Sequence, residues 1–418
     1  MGRENTPSRH RTGPGPASPS LQAATSWSTV RPMTKSRITR DNLLDDVRRV
    51  VIKVGSAVVT TGDGLNNSAI NRLADQISAL SDRGLDVVLV TSGAVAAGRQ
   101  RIFERTSRQR HNGKDMASRQ AASAVGQGRL MHDYDEAFAR HGKVTAQVLL
   151  TRSGLKLRER FLNARNTMER LLEWGVIPIV NENDTVSTRE LEFGDNDTLG
   201  AMCLGLVCAD IFINLTSADG VFDKNPDGNP DARPIPLIED IASMDLEAMC
   251  DGKTNVGTGG MYSKLRAARR AAQLGVPTLI VSGKGQFDIL AVLNGGEGGT
   301  LVLPDDRVVS SKKFWLAYHD NPCGAVLVDA GAANALMTKG TSLLPIGITA
   351  VEGCFDRGAL IFIKTADGNE LGVGQTNYSA DELNRIKGKR TDELAAVIGP
   401  TVSDEAVHRD NMLLDAAI

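Results

Sequence analysis

The sequence predicts an α/β protein: a three-layer αβα sandwich with a largely parallel central sheet, followed by a small β-rich domain. Three observations predict it. Short runs rich in Val and Ile alternate with helix-like segments from residue 49 to 281. The runs are continuously apolar, as strands covered on both faces must be. From residue 312 to about 400 the runs become short and are broken by Gly and Asp at close intervals, the pattern of a β-rich domain.

Taken in order, residues 1–45 form an N-terminal extension rich in Pro, Gly, Ser and Arg. It carries too little apolar content to order itself, and it lacks the apolar core of a secretory signal. We read it as a non-functional tail or a misplaced start, with Met33 an alternative first residue, in preference to a transit peptide. A catalytic domain is expected over 46–303. Its strands are RVVIKV (49–54), DVVLVT (86–91), KVTAQVLL (143–150), GVIPIV (175–180), DIFINL (210–215) and VPTLIV (276–281). Its helices are expected at 68–83, 116–140, 158–174, 196–208 and 260–274, and NGGEGGT (294–300) as a closing loop. The β-rich domain is expected over 312–405, from FWLAY, GAVLVD, GITAVEG, ALIFIK and LGVGQT.

The totals exclude several function classes. The chain has 418 residues with 41% hydrophobic and 23% charged, enough for a sizeable core. A net charge of -2 gives no general attraction to nucleic acid or membrane, and no apolar run approaches the ~18 residues of a membrane helix. Five scattered cysteines with no CxxC read as reduced thiols in a cytoplasmic protein. The six histidines do not cluster with them, so no zinc site is expected. DGKT (251–254) lacks the first Gly of a P-loop, HRDN (408–411) has no DFG partner, and no GxGxxG follows a strand.

In parallel α/β sheets ligands bind at the C-terminal strand ends. Here those ends carry Lys53-Val-Gly-Ser, Thr91-Ser92-Gly93, the NEND (181–184) and GDND (194–197) clusters, and Thr216-Ser217-Ala-Asp-Gly. Gly257-Thr258-Gly259-Gly260 precedes the last helix of the domain, with Ser263 and Lys264 just inside it. Together they suggest phosphoryl transfer. Glycines and a helix N-terminus can cradle phosphate, Lys53 and Lys264 can bridge a transferring group, and Asp197 can orient lysines or meet magnesium.

Plainer roles compete. A Lys after a strand is often solvated, Asp195 or Asn196 could be a helix cap, and Met202, Cys203 and Cys208 read as core fillers. Trp174 and Trp315 read as packing residues, and His408 has no visible partner.

The joint pattern VIKVGSAVV, VTSGAVAAGR, RERFLNARNT, VNENDTV, FGDNDTLGA and GTGGMYSKL resembles the amino acid kinase family, within it the glutamate 5-kinase branch. The C-terminal part, ending GPTVSDEAVHRDNM, is similar to the PUA domain attached to bacterial members. The resemblance spans nearly the whole chain after residue 45. It implies the amino acid kinase fold and transfer of phosphate from ATP, with Mg²⁺, to the γ-carboxylate of glutamate, the first step of proline biosynthesis. It further implies that Lys53 and Lys264 stabilise the transferring group, that Asp197 organises them, and that Ser92, Asp184 and Asn196 hold the substrate. Lys53, Thr216, Ser217, Thr258, Gly259, Gly260, Met261, Tyr262, Ser263 and Lys264 would contact ATP. Many members have Thr-Asp where this chain has Thr216-Ser217, which puts a side-chain contact there in doubt. The family also suggests a homo-oligomer with proline as feedback inhibitor.

On this reading the dense Asn and Asp at 181–197 form a polar pocket for a free amino acid. Asp184 faces the ammonium, with amides from Asn181, Asn183 and Asn196, and TVSTRELEF (185–193) folds over as a hairpin. The alternatives are a kinase of N-acetylglutamate or aspartate, or an RNA-binding protein. An acetylated substrate has no ammonium to call for Asp184. In the PUA-like region, acids at 381, 382, 392 and 393 dilute the basic residues, so RNA binding is not expected.

Overall fold

The computed structural model describes residues 35, 38–62, 64–106, 115–155, 157–187, 195–226, 229–250, 260–285, 287–305, 322–399 and 403–414. Eight strands form the main sheet: β1 (Arg49–Val54), β2 (Asp86–Val90), β3 (Thr145–Leu150), β4 (Ile177–Glu182), β5 (Ile211–Thr216), β6 (Leu237–Ile238), β7 (Thr278–Ser282) and β8 (Thr300–Val302). Their order is β6-β8-β7-β5-β1-β2-β4-β3. All neighbours are parallel except β7 and β8. The central strands are buried along all or nearly all their length, whereas β3, at the edge, is not.

The long helices of this part are α1 (Asn67–Asp82), α2 (Ala94–Thr106), α3 (Met116–Ala139), α4 (Arg158–Glu173), α5 (Asp195–Val207) and α6 (Met261–Gln273). The five expected helices and six expected strands are present, with ends displaced by a residue or two. Helix α2 was not among the expected helices; its small residues and Gly98 give little apolar period. Gly98 serves close packing instead: a Cβ there would lie 1.7 Å from the Ala122 carbonyl oxygen of α3. Strands β6 and β8, of two and three residues, are too short to show a period. Beyond the helix Ile289–Leu293, NGGEGGT leads directly into β8.

Strand β1 shows how the layers form. Its side chains alternate between faces. Val50, Ile52 and Val54 join a buried cluster with Ile70, Leu73 and Ile77 of α1 and Leu130 and Phe138 of α3. Val51 faces the other way, into a cluster with Phe161 and Met168 of α4, Leu199 and Leu206 of α5, and Ala267 and Ala271 of α6. Lys53 shares the parity of Val51, so the strand directs it to the α5 side. Met202 and Cys203 are core residues of α5, fully buried as expected. Trp174 corrects the expectation of a packing role: it caps the C-terminus of α4 and is 69% exposed. Trp315 lies outside the described residues.

The second sheet has β9 (Gly324–Val328), β10 (Ile348–Gly353), β11 (Leu360–Thr365), β12 (Glu370–Thr376) and β13 (Val407–Leu414), in the order β10-β9-β11-β12-β13. Helices α7 (Ala330–Lys339), α8 (Ala380–Ile386) and α9 (Thr391–Ile398) accompany it. Both faces are covered. Ile361, Ile363 and Met412 join Leu383, Ile386 and Leu394 in a core of its own. Leu360, Val373 and Leu413, of opposite parity, belong to the buried cluster of α4, α5 and α6. His408, expected to stand alone, has Asp410 beside it: the Asp410 backbone N–H donates to its Nδ1.

Candidate active site

The site is built at the ends of β1, β2, β4 and β5 and the starts of α5 and α6. Helix α5 is apolar on all sides beyond its first turn, so it is driven into the interior. At Gly200 it lies against the sheet: a Cβ there would be 3.0 Å from the Phe212 ring and 3.4 Å from Lys53 Cβ. That approach brings Asp197, one turn earlier, to Lys53.

Asp197 is 1% exposed and both its oxygens are taken. Oδ1 is 2.5 Å from Lys53 Nζ and accepts from Asn214 Nδ2 at 3.0 Å. Oδ2 accepts from Ser263 Oγ at 2.6 Å and lies 3.4 Å from Lys264 Nζ. Lys53 and Lys264 are both buried, at 3% and 5% exposure, which corrects the simple picture of solvated lysines after strands. Burial alone would raise the Asp197 pKa, but the ammonium groups of Lys53 and Lys264 outweigh it and hold the carboxyl down at about 2. Burial lowers the Lys264 pKa and Lys53 adds to the effect, while Asp197 opposes both. Two cations are thus fixed around one anion, with the helix α6 N-terminus adjoining. Its cap, Gly260, has no side chain to satisfy the first N–H groups, which leaves them available to a phosphate.

A second group of polar residues adjoins the first through Asn196. Its Nδ2 donates to Ser92 Oγ at 2.9 Å and Asn181 Oδ1 at 3.2 Å. Asn181 is buried and also bonds Gln127 Oε1. Asp184 opens a short 3-10 turn and accepts from Ser123 Oγ at 2.6 Å. Burial raises its pKa, against the lowering effects of the Ser123 hydroxyl and Arg119.

The structure therefore brings Lys53, Lys264, Asp197 and Ser263 together, and links Ser92 to Asn196. Asp184, in the turn after β4, lies against α3 beside Ser123. Asn183 is not part of the amide chain; its Oδ1 accepts from Thr185. Thr216 is buried at the end of β5, next to exposed Ser217. Met261 and Tyr262 are half-buried in the first turn of α6, with Arg266 5.6 Å from the Tyr262 ring centre. Thr258 and Gly259 lie outside the described residues, as does the expected hairpin beyond Ser187. Reading the sequence missed Asn214, Ser123 and Gln127. Asn214 had a signal, an amide inside an otherwise apolar strand; Ser123 and Gln127 sit in an ordinary amphipathic helix and had none.

A parallel sheet with paired buried lysines and a glycine-capped helix at its ligand-binding edge defines an α/β enzyme built to handle phosphoryl groups without a P-loop. The chain belongs to the amino acid kinase family: that family's model matches residues 48–282, and the PUA domain model matches 324–398. It is 56% identical over 379 residues to the glutamate 5-kinase of Maridesulfovibrio salexigens, covering 91% of this chain and 99% of that protein. It is 57% identical over 379 residues to that of Oleidesulfovibrio alaskensis, covering 91% and 98%. To that of Geobacter sulfurreducens it is 46% identical over 377 residues, covering 90% of this chain and the whole of the relative.

Proposed function

We propose that this chain transfers the γ-phosphoryl group of ATP to the γ-carboxylate of L-glutamate, giving γ-glutamyl phosphate and ADP, the step that commits glutamate to proline. The observation that carries the reading is the buried Lys53–Asp197–Lys264 group beside the hydrogen-bonded Ser92 and Asn196. The similarity to glutamate 5-kinases over nine-tenths of the chain supports the choice of substrate.

A carboxylate oxygen attacks the γ-phosphorus as the bond to the ADP oxygen breaks. The nucleophile is already anionic, so no general base is required. The obstacle is repulsion between two anions. Lys53 and Lys264 offset it by placing positive charge where the transition state concentrates negative charge. Asp197 holds the two ammonium groups close together at moderate cost, since unpaired they would repel in a buried site. The first turn of α6 and Thr216 would bind the nucleotide phosphates, and Asp184 would meet the substrate ammonium.

With both Asp197 oxygens occupied by Lys53, Asn214, Ser263 and Lys264, that carboxylate has no free position for a metal. Among the described residues the one side-chain group with metal-ligand spacing is His132, Asp133 and Glu136 on α3, which shares no residue with this site. Magnesium therefore fits best as an ion carried by the nucleotide, where it would neutralise phosphate charge.

The test is turnover of purified protein with MgATP and glutamate, trapping the acyl phosphate with hydroxylamine, beside N-acetylglutamate and aspartate. Glutamate should be much the best substrate. Faster turnover of N-acetylglutamate would overturn the reading, because a site built around Asp184 should reject a substrate without an ammonium.

A further inference from the structure

Helix α3 presents three polar side chains to the segment after β4. Gln120 Nε2 donates to the Ser187 carbonyl at 3.0 Å, Ser123 Oγ to Asp184 at 2.6 Å, and Gln127 Oε1 accepts from Asn181 Nδ2 at 2.9 Å. Their spacing of three and four residues places them on one face.

The direction of hydrogen bonding along this network is fixed by the backbone. The Glu182 N–H donates to Asn181 Oδ1 at 2.9 Å, and a backbone N–H can only donate. Asn181 Oδ1 is therefore the acceptor, and its Nδ2 is the atom that faces Gln127. Asn196 Nδ2 donates to the same Oδ1. Two buried amide atoms are left without a partner, one at each end: Gln127 Nε2, a donor, and Asn196 Oδ1, an acceptor. Gln127 is only 9% exposed. Buried amide groups are nearly always paired, so an orphan donor and an orphan acceptor on one chain of amides call for a ligand.

Position says which part of a ligand each would meet. Asn196 adjoins Asp197, which holds the two lysines, so the reacting carboxylate meets the lysines at that end, and Asn196 Oδ1, an acceptor, takes a donor such as the substrate ammonium. Gln127 is at the far end, one helical turn from Ser123 and its partner Asp184. It also follows Gly126, where a Cβ would come within 1.9 Å of the Ala94 carbonyl oxygen, so α3 runs against the first turn of α2 at this point. The partial positive charge of a helix N-terminus favours an anion there.

We propose that Gln127 Nε2 donates to the α-carboxylate of the amino-acid substrate, next to the ammonium held by Asp184. The inference rests on the glutamate reading and adds the residue that recognises the second carboxylate. It makes Gln127 a substrate-binding residue that selects an α-amino dicarboxylate over a simple amino acid lacking the α-carboxylate.

Two substitutions separate direct recognition from support of Asn181. Gln127→Glu keeps an oxygen acceptor for Asn181 but replaces the free donor with negative charge. Gln127→Met loses both groups and stays neutral. Direct recognition predicts that Glu is worse than Met; a supporting role predicts the reverse. The glutamate KM should rise about tenfold in Gln127→Met and about a hundredfold in Gln127→Glu, the range of a lost and then a repelled charge-assisted contact. The MgATP KM should stay within about twofold, and thermal melting should show both variants folded.

As a second measurement, 4-aminobutyrate is glutamate without its α-carboxylate. Its inhibition constant should be nearly the same in wild type and Gln127→Met, even though the glutamate KM rises. Equal weakening of both ligands, or Met worse than Glu, would overturn the proposal. Absence of glutamate turnover in the wild type would instead overturn the function reading, before any variant is compared.

Discussion

Lys53 Nζ lies 2.5 Å from Asp197 Oδ1, and both side chains are almost wholly buried. One comes from the first strand of the sheet and the other from the opening turn of a helix that the chain reaches much later. A charged pair at such depth is costly unless its surroundings complete it. Here Asn214, Ser263 and Lys264 do so, which makes each member sensitive to loss of the others.

Removing either cation should slow chemistry more than it weakens binding. At an effective dielectric of about 20, one cation about 4 Å from a unit charge contributes ~4 kcal/mol. Allowing for partial replacement by water and metal, Lys53→Met and Lys264→Met should each lower kcat by roughly 10²–10³ at saturating substrates. Lys143→Met is the control: its ammonium pairs with Asp82 at 2.6 Å at the protein surface, so kcat should hardly change. Near-wild-type kcat in a folded Lys53 or Lys264 variant would remove that lysine from the mechanism.

Asp197→Asn should damage stability as well as rate. It leaves two buried ammonium groups facing each other, and breaking a buried pair in this way costs ~3–5 kcal/mol. The deficit should shrink as pH rises, because burial already lowers the Lys264 pKa and deprotonation relieves the repulsion. In the wild type the change falls at the acid end instead. The Asp197 pKa of about 2 lies below the ~3.9 of an unfolded Asp, so its contribution is present above pH ~4 and is lost as pH falls toward 2. Denaturant melts across pH should show the wild type losing stability below pH ~4 and the variant recovering stability toward alkaline pH; parallel curves would refute this.

Asp184→Asn should raise the KM for glutamate by about tenfold to a hundredfold, the loss of a contact between charges, and leave that for MgATP nearly unchanged. Because burial raises the Asp184 pKa, protons should compete with the substrate ammonium above the usual carboxylate range. The kcat/KM for glutamate should then fall on the acid side, and this acid limb should disappear in Asp184→Asn. An unchanged limb in the variant would assign the titration to another group.

A chain ending at Leu303 keeps every candidate site residue, so it should retain turnover. It should also melt at lower temperature than the full chain and bind a hydrophobic dye more strongly. Leu360, Val373 and Leu413 share a buried cluster with Met202, Leu206 and Ala271, and truncation uncovers the first domain's side of that contact. Full stability in the truncated protein would show that this contact contributes little.

Much of the fold was legible because its signals are local. Consecutive apolar residues at 50–52, 87–90 and 211–213 are satisfied by strands covered on both faces, and β1, β2 and β5 are such strands. The motif residues Lys53, Ser92, Asn196, Asp197 and Lys264 were legible because each sits at the end of a strand or the start of a helix, where a parallel sheet gathers its ligands. Helix α2 was hidden because its small residues and Gly98 give little apolar period; their use shows only when α3 is seen against them.

What the sequence by itself determined was most of the elements, their order and the residue types at their ends. What only the tertiary structure decided was which groups meet. Side-chain alternation directs Lys53 toward α5, but the close seat of Gly200 on the sheet is what lets Asp197 reach it. Likewise nothing near Gln127 in the chain marks it; only the crossing of α2 and α3 at Gly98 and Gly126 carries it to Asn181 and leaves its Nε2 unpaired. Propensity and period act over a few residues, whereas a shared proton or a paired charge depends on distances set by packing between elements far apart in the chain.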